Sequence, residues 1–300
     1  MARAQAELFL PVLATGAKVV AFGEEHGVRD LWRDQVALVR AWLKRGLKTL
    51  VLFEHGIDEQ RAVDRWLETG APPAAYSKAF EAPRTVGFLE GTYRLLDALA
   101  RARRAGAPLD VLCFDMAFGK DVQGVSPDDL ARFAEIQRHY HDDDAFDALR
   151  ERFMIDALER SYDRFDAADR VLLIVGAMHA AKGDHYITRE APPERHIPTV
   201  TNWLAAREAV AAIFHYPVRG SFRWHDDAGA LQVGELKPPR NILAAFKAPR
   251  RKAMVPTAAL PDHPEKPLWV AGFDFVYVHP TCRPDRPRGI RREGSPATRA

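Results

Sequence analysis

The stretch that most constrains this chain is Val19-Val20-Ala21-Phe22-Gly23-Glu24-Glu25-His26-Gly27. It is a short apolar run that ends abruptly in glycine, two carboxylates, an imidazole and another glycine. An unbroken apolar run suits a strand buried on both faces of a parallel sheet, whereas a half-exposed strand would alternate. Sheets of that kind take their ligands beyond the carboxyl ends of the strands. In extended chain Glu24 and His26 leave the backbone on the same side. One such strand would mean little, since carboxylates after a strand commonly cap or charge the next helix. The pattern recurs, however. Residues 49–53 are followed by Glu54-His55-Gly56, 109–114 by Asp115, and 170–175 by Gly176-Ala177-Met178-His179.

Helical periodicity fills the intervals. Leu31, Leu38, Val39 and Trp42 mark one face of a helix over 30–45, closed by Gly46. Further helices are expected over 58–68 and over 86–106, the second carrying Leu89, Tyr93, Leu96 and Ala100. Ser126-Pro127-Asp128-Asp129 has the cap and first-turn proline of a helix start. A long helix over 144–165 shows two apolar stripes, Met154-Leu158-Phe165 and Phe146-Leu149-Phe153, as a helix buried between layers would. A short lead-in helix over 3–14 precedes the first strand, 18–22.

Strands alternating with helices predict an α/β fold, a mostly parallel sheet flanked by helices with right-handed crossovers. Residues 210–216 read as a further strand, 221–236 as a hairpin around Asp226-Asp227-Ala228-Gly229, and 273–278 as the last strand, a small C-terminal β extension. The reading is a single domain over 1–280 with its core in 18–200. The proline-bearing segment 69–85 is expected to cover the core. The proline- and arginine-rich tail 281–300 is expected to be disordered.

Composition excludes more than it selects. The hydrophobic share of 47% and charged share of 28% are those of a globular protein. A net charge of +2 gives no electrostatic case for nucleic acid. Two cysteines, Cys113 and Cys282, make no disulfide framework, and Cys113 sits in an apolar run as a core thiol. No apolar stretch has membrane-spanning length, and the first strand follows so early that little room remains for a leader. A cytoplasmic location is therefore expected.

Parallel strands point their carboxyl ends to one edge, so Glu24, His26, Glu54, Asp115 and His179 are expected to meet there. Carboxylates and imidazoles are the ligand set of divalent zinc, manganese or iron, and also the set for acid–base chemistry near neutral pH. A metal is expected on Glu24, His26, Glu54 and His179, with Glu25, His55 and Asp115 behind them. No G-x-S-x-G elbow is present, and neither cysteine has a nucleophile's surroundings, which favours direct attack by water.

These residues carry a resemblance. G-E-E-H at 23–26, the strand ending in Glu54, R-E-R-F-M at 150–154 and G-A-M-H at 176–179 resemble, in that order, the superfamily of erythromycin esterases, ChaN-like haem-uptake proteins and Tiki/TraB proteins. Gln60, the helix with Tyr93, and Asp115 also sit where ChaN-like sequences place comparable features. The likeness covers about residues 18–200. It implies an α/β core with its site at the strand ends, Glu24, His26, Glu54 and His179 on site positions, and Arg150 and Glu151 on the helix motif. The esterase branch implies a hydrolase of an ester or amide in a small molecule or peptide. There His26, helped by Glu24, would activate water, with His179 in the catalytic set and Arg150 steadying a carbonyl oxygen or substrate carboxylate. The Tiki branch implies a metal-dependent peptidase. The ChaN branch implies the alternative, haem or another iron ligand held without turnover.

Overall fold

The computed structural model describes residues 7–72, 90–117, 124–140, 143–183, 198–225, 231–236, 251–260 and 272–284. The chain enters through α1 (Leu10–Ala14) and β1 (Val19–Glu24), then α2 (Leu31–Leu43) and β2 (Thr49–Gly56). A 3-10 turn (Ile57–Glu59) leads into α3 (Gln60–Thr69), α4 (Glu90–Arg104) and β3 (Leu109–Asp115). Next come α5 (Pro127–Arg138), α6 (Asp143–Arg160), α7 (Tyr162–Asp166), β4 (Arg170–Gly176), α8 (Val200–Ala205) and β5 (Val210–Pro217). The last elements are β6 (Gly220–His225), β7 (Leu231–Leu236), β8 (Ala253–Pro256) and β9 (Phe275–His279).

Seven strands form one sheet in the order β3-β2-β4-β1-β5-β9-β8, and β6 and β7 make a separate antiparallel hairpin. The pairings within the sheet are parallel, apart from β8 against β9. This is the mostly parallel α/β architecture that the alternating pattern predicts.

Strand period and helix stripes explain the layering. Val20, Phe22, Val51, Phe53, Leu172 and Ile174 leave one face of the sheet and pack with Trp42 of α2, Trp66 of α3 and Leu95 and Leu99 of α4. Their neighbours Val19, Ala21, Leu50, Leu52, Val171, Leu173 and Val175 leave the other face toward Phe133 of α5 and Phe153, Met154 and Leu158 of α6. Both faces are covered, which is why these strands read as continuous apolar runs.

Several boundaries differ from expectation. The long helix over 144–165 breaks at Ser161 into α6 and α7. The short elements α8 and β8 carry too little periodicity to be read from sequence. The tail expected to be loose from 281 is pinned at its start, where Cys282 bridges to Gly220 and Pro284 to Val28. Of the covering segment 69–85, residues 73–85 lie outside the described residues, as do 86–89 of the expected helix, the hairpin loop 226–230 and the tail beyond 284. No helix of the described residues is long and apolar enough to cross a membrane.

The edge strand β3 has its open side closed by side chains, Arg103 on the Leu109 carbonyl, Arg164 on the Val111 carbonyl and Gln60 at two points. Gln60 Nε2 donates to the Val111 carbonyl at 3.0 Å, and Gln60 Oε1 accepts from the Cys113 N–H at 2.7 Å. An unpaired buried backbone group costs about 1–3 kcal/mol, so Gln60→Ala should lower stability by an amount of that order. Urea unfolding should show a lower midpoint at unchanged slope. An unchanged midpoint would mean that this edge does not depend on Gln60.

Candidate functional site

The strand order sets the site. β4 lies between β2 and β1, and Glu24 pairs in register with Gly176, so Glu54, Gly176 and Glu24 line up across three neighbouring strand ends. Asp115 ends β3 on the far side of β2. Gly176 leaves open the space that the side chains share. A Cβ there would stand 3.0 Å from His26 Nε2, 3.5 Å from His179 Cδ2 and 3.6 Å from Glu54 Oε2.

His26 is the group turned toward the outside, with 41% of its side chain exposed. Its Nδ1 lies 3.2 Å from Glu24 Oε1, and its Nε2 lies 3.6 Å from Glu54 Oε2. Glu24 is itself held, because Gln35 Nε2 donates to its Oε2 at 2.6 Å. Burial works against the charged ring. The Glu24 hydrogen bond and the Glu54 and Glu24 charges outweigh it, against Arg150, and raise the pKa of His26 from 6.5 to about 9.

Beneath His26 lies a buried ionic cluster centred on Glu54, whose side chain is 7% exposed. Its Oε1 accepts from Arg150 Nη2 at 2.5 Å and lies 3.4 Å from His179 Nε2. Its Oε2 accepts from the Gly176 N–H at 2.5 Å. Burial alone would push this carboxyl up. The charges of His179, Arg150 and His26, with the Gly176 N–H, bring it down to about 2.

Arg150 also grips Asp115 with a fork, Nε to Oδ1 at 3.0 Å and Nη2 to Oδ2 at 2.6 Å, and its Nη1 lies 3.2 Å from His179 Nε2. Burial opposes the guanidinium charge, but Asp115 and Glu54 more than compensate and hold its pKa well above the ordinary value. His179 is buried, with Nδ1 2.5 Å from Glu151 Oε1, while Glu151 Oε2 accepts from the Val200 N–H at 2.8 Å. Its pKa too is raised: burial and Arg150 lower it, and Glu151 and Glu54 prevail.

The structure therefore brings Glu24, His26, Glu54, Asp115, Arg150, Glu151 and His179 into one connected network. His55 is turned to Glu59, 2.7 Å away, and stacks on the Phe53 ring at 4.1 Å between centroids. Glu25 offers its main-chain N–H to His215 Nδ1 at 3.4 Å, and burial raises its carboxyl pKa. Two contributors escape sequence reasoning. Gln35 is a polar residue four positions after Leu31 and four before Val39 on the apolar stripe of α2, a signal that could have found it. His215, on β5, gives no local signal.

Chemically, the network offers a partly exposed imidazole with a carboxylate at one nitrogen and a second carboxylate facing the other. Below it stands a set of charges already neutralised against one another.

No family model matches the chain, and no curated protein matches it by sequence. Solved structures do. A succinoglycan biosynthesis protein superposes with a TM-score of 0.67 at 12% identity, over 93% of this chain and 92% of that one. A mutant of the erythromycin esterase EreC in its open conformation superposes with a TM-score of 0.63 at 14% identity, over 91% of this chain and 93% of that one. ChaN of Campylobacter jejuni, a structure with cofacial haem, reaches 0.38 at 14% identity over 68% of this chain and 83% of that one, too distant a likeness to carry an argument. At such identities the likeness speaks for architecture, and the fold of this chain is that of the erythromycin esterase EreC and the succinoglycan biosynthesis protein.

Proposed function

We propose that this protein is a hydrolase that cleaves an ester or amide bond of a small-molecule substrate by direct attack of water, with His26 as general base. The observation that carries this reading is the Glu24–His26 pair, an imidazole backed by a carboxylate at Nδ1 and half open to solvent. Glu24 accepting from Nδ1–H holds the tautomer whose lone pair is on Nε2. His26 Nε2 takes a proton from water as the water oxygen attacks the carbonyl carbon. The imidazolium then returns that proton to the departing alcohol or amine. Glu54, 3.6 Å from Nε2, favours the imidazolium as it forms.

The remaining residues position these two. Arg150 has its donors on Asp115, Glu54 and His179, so it sets Glu54 in place instead of steadying a carbonyl as sequence leads one to expect. His179 is buried on Glu151 and takes the same supporting part. A divalent ion on Glu24, His26, Glu54 and His179 does not fit this arrangement. The guanidinium already supplies the positive charge between Glu54 and His179, and both Glu54 oxygens are bonded, one to Arg150 and one to the Gly176 N–H. The mechanism therefore contains no metal step. The esterase named among the fold neighbours agrees with this reading. For the haem alternative, His179 is the weaker axial ligand because it is buried with Nδ1 held by Glu151.

The working base is the neutral ring, and its pKa of about 9 leaves only about one ring in a hundred neutral at pH 7. On a panel of chromogenic esters and anilides, log kcat/KM should rise with unit slope and level off above about pH 9. His26→Gln should cost about 10²–10⁴ in rate. Glu24→Gln removes part of what raises the ring, Glu54 remaining, so the rising limb should move to lower pH. Wild-type rates in His26→Gln, or a Soret band on the purified protein, would sink the proposal.

The same shift has a stability consequence with a definite sign. A raised histidine pKa stabilises the fold fully below 6.5, and that contribution is lost as pH rises through about 9. Wild type should therefore lose more stability across this interval than His26→Gln does, as urea titrations at the two ends can read. Arg150→Met strands Glu54 and Asp115 without their cation and should cost about 3–5 kcal/mol, with Arg150→Lys recovering part of the loss.

A further inference from the structure

We infer that His215, His279 and Cys282 form a second site, a buried binding site for one divalent transition-metal ion of the zinc type, apart from the strand-end carboxylates. The three residues are all buried, and a ligand atom from each lies within 4.8 Å of the others. The sheet places the two histidines. β5 and β9 are parallel neighbours with His215 opposite Tyr277 and Pro217 opposite His279, so His215 and His279 leave the same face two residues apart. The third donor is brought in by the segment after β9. The Cys282 N–H donates to the Arg219 carbonyl at 2.8 Å, and Gly220, at φ 135°, lets that backbone approach so closely that any Cβ would collide with Cys282.

Two of the three edges between the donor atoms match a tetrahedral face, and the third lies within 4.8 Å. Zinc bonds of about 2.0–2.1 Å to nitrogen and about 2.3 Å to sulfur imply edges of about 3.3 Å between two nitrogens and about 3.6 Å between nitrogen and sulfur. His215 Nε2 lies 3.3 Å from His279 Nδ1 and 3.8 Å from Cys282 Sγ. Two imidazoles and a thiolate are soft to borderline donors that favour zinc, cobalt or copper over magnesium or calcium. The fourth position falls to water, as no fourth His, Cys, Asp or Glu among the described residues joins the group.

The surroundings leave the lone pairs available. Burial, with the charges of His279 and Lys252, holds His215 well below its ordinary pKa, and burial with Lys252 brings His279 down to about 4. Burial lifts the Cys282 thiol to about 12, so metal entry has to expel its proton. Lys252, the nearby cation, is tied to Asp34 Oδ2 at 2.6 Å. Metal on His215 Nε2 puts the ring proton on Nδ1. The contact that must then give way is the 3.4 Å approach of the Glu25 N–H, next to the Glu24–His26 pair.

The test is a Co²⁺ titration of the full chain stripped with chelator. The expected result is one Co²⁺ per chain, with intense tetrahedral d–d bands and a thiolate-to-cobalt charge-transfer band. Zn²⁺ should displace the cobalt and raise Tm. Cys282→Ser should lose the charge-transfer band and the Zn²⁺-dependent rise in Tm, while Cys113→Ser and His26→Gln keep both. Saturating Co²⁺ without a charge-transfer band in the wild type would overturn the site, whether or not the variants fold. So would the same band persisting in Cys282→Ser. Retention of metal by His26→Gln separates this site from the hydrolase reading, which stands or falls on rate.

Discussion

The strand ends depend on burying the Glu54 carboxylate. Removing an ionised carboxyl from water is costly unless every lone pair finds a partner, and Glu54 finds Arg150, the Gly176 N–H and two imidazoles. That demand propagates outward. A buried guanidinium needs more than one carboxylate, which accounts for Asp115 at the end of β3. A buried imidazole beside that guanidinium needs a counter-charge, which accounts for Glu151 behind His179. Arg150 and Glu151 are consecutive on α6, so one helix supplies both the cation and the anion that the sheet edge lacks.

Topology decides which of these groups is open to solvent. With β4 between β2 and β1, a glycine at the end of β4 lets His26 from one side and Glu54 from the other meet over it. The crossing from β1 out to β2 and β3 and back to β4 is the kind of switch in strand order at which open α/β sheets form a crevice. His26 and His179 both gain a proton more readily than a free histidine, yet they differ in access. His26 follows the last residue of β1 on a loop and is half open. His179 is sealed under Val200 and α6 through Glu151. Of the two, His26 is the one that solvent reaches.

Much of this was legible in the sequence because the strands are buried on both faces. Val19–Phe22 and residues 170–175 carry so much apolar side chain that a parallel sheet was the only comfortable reading. The polar residue after each run then had to fall on one edge. What stayed hidden was partnership. Arg150 is less than halfway along a helix whose two apolar stripes say that it is buried. They do not say that its guanidinium spans two strand ends, Glu54 on β2 and Asp115 on β3. Gln35 was hidden only by its neighbours, since Leu31, Leu38, Val39 and Trp42 are enough to explain α2 without it. His215, His279 and Cys282 come from two strands and a loop separated in sequence by up to 67 residues, and no local pattern can announce them.

The sheet thus presents the same side chain with two opposed electrostatic surroundings. At the strand ends Glu24, Glu54 and Glu151 crowd the imidazoles and push their pKa values up. Under β5 and β9, burial and the Lys252 charge push His215 and His279 down, which leaves neutral nitrogens able to bind a soft cation. Each environment excludes the other's chemistry. A cation bound among the carboxylates would compete with Arg150 for Glu54, and a proton on His215 or His279 would be a buried charge with Lys252 nearby. The Glu25 peptide, between Glu24 and His26 and in contact with His215, is where the two halves of the edge touch.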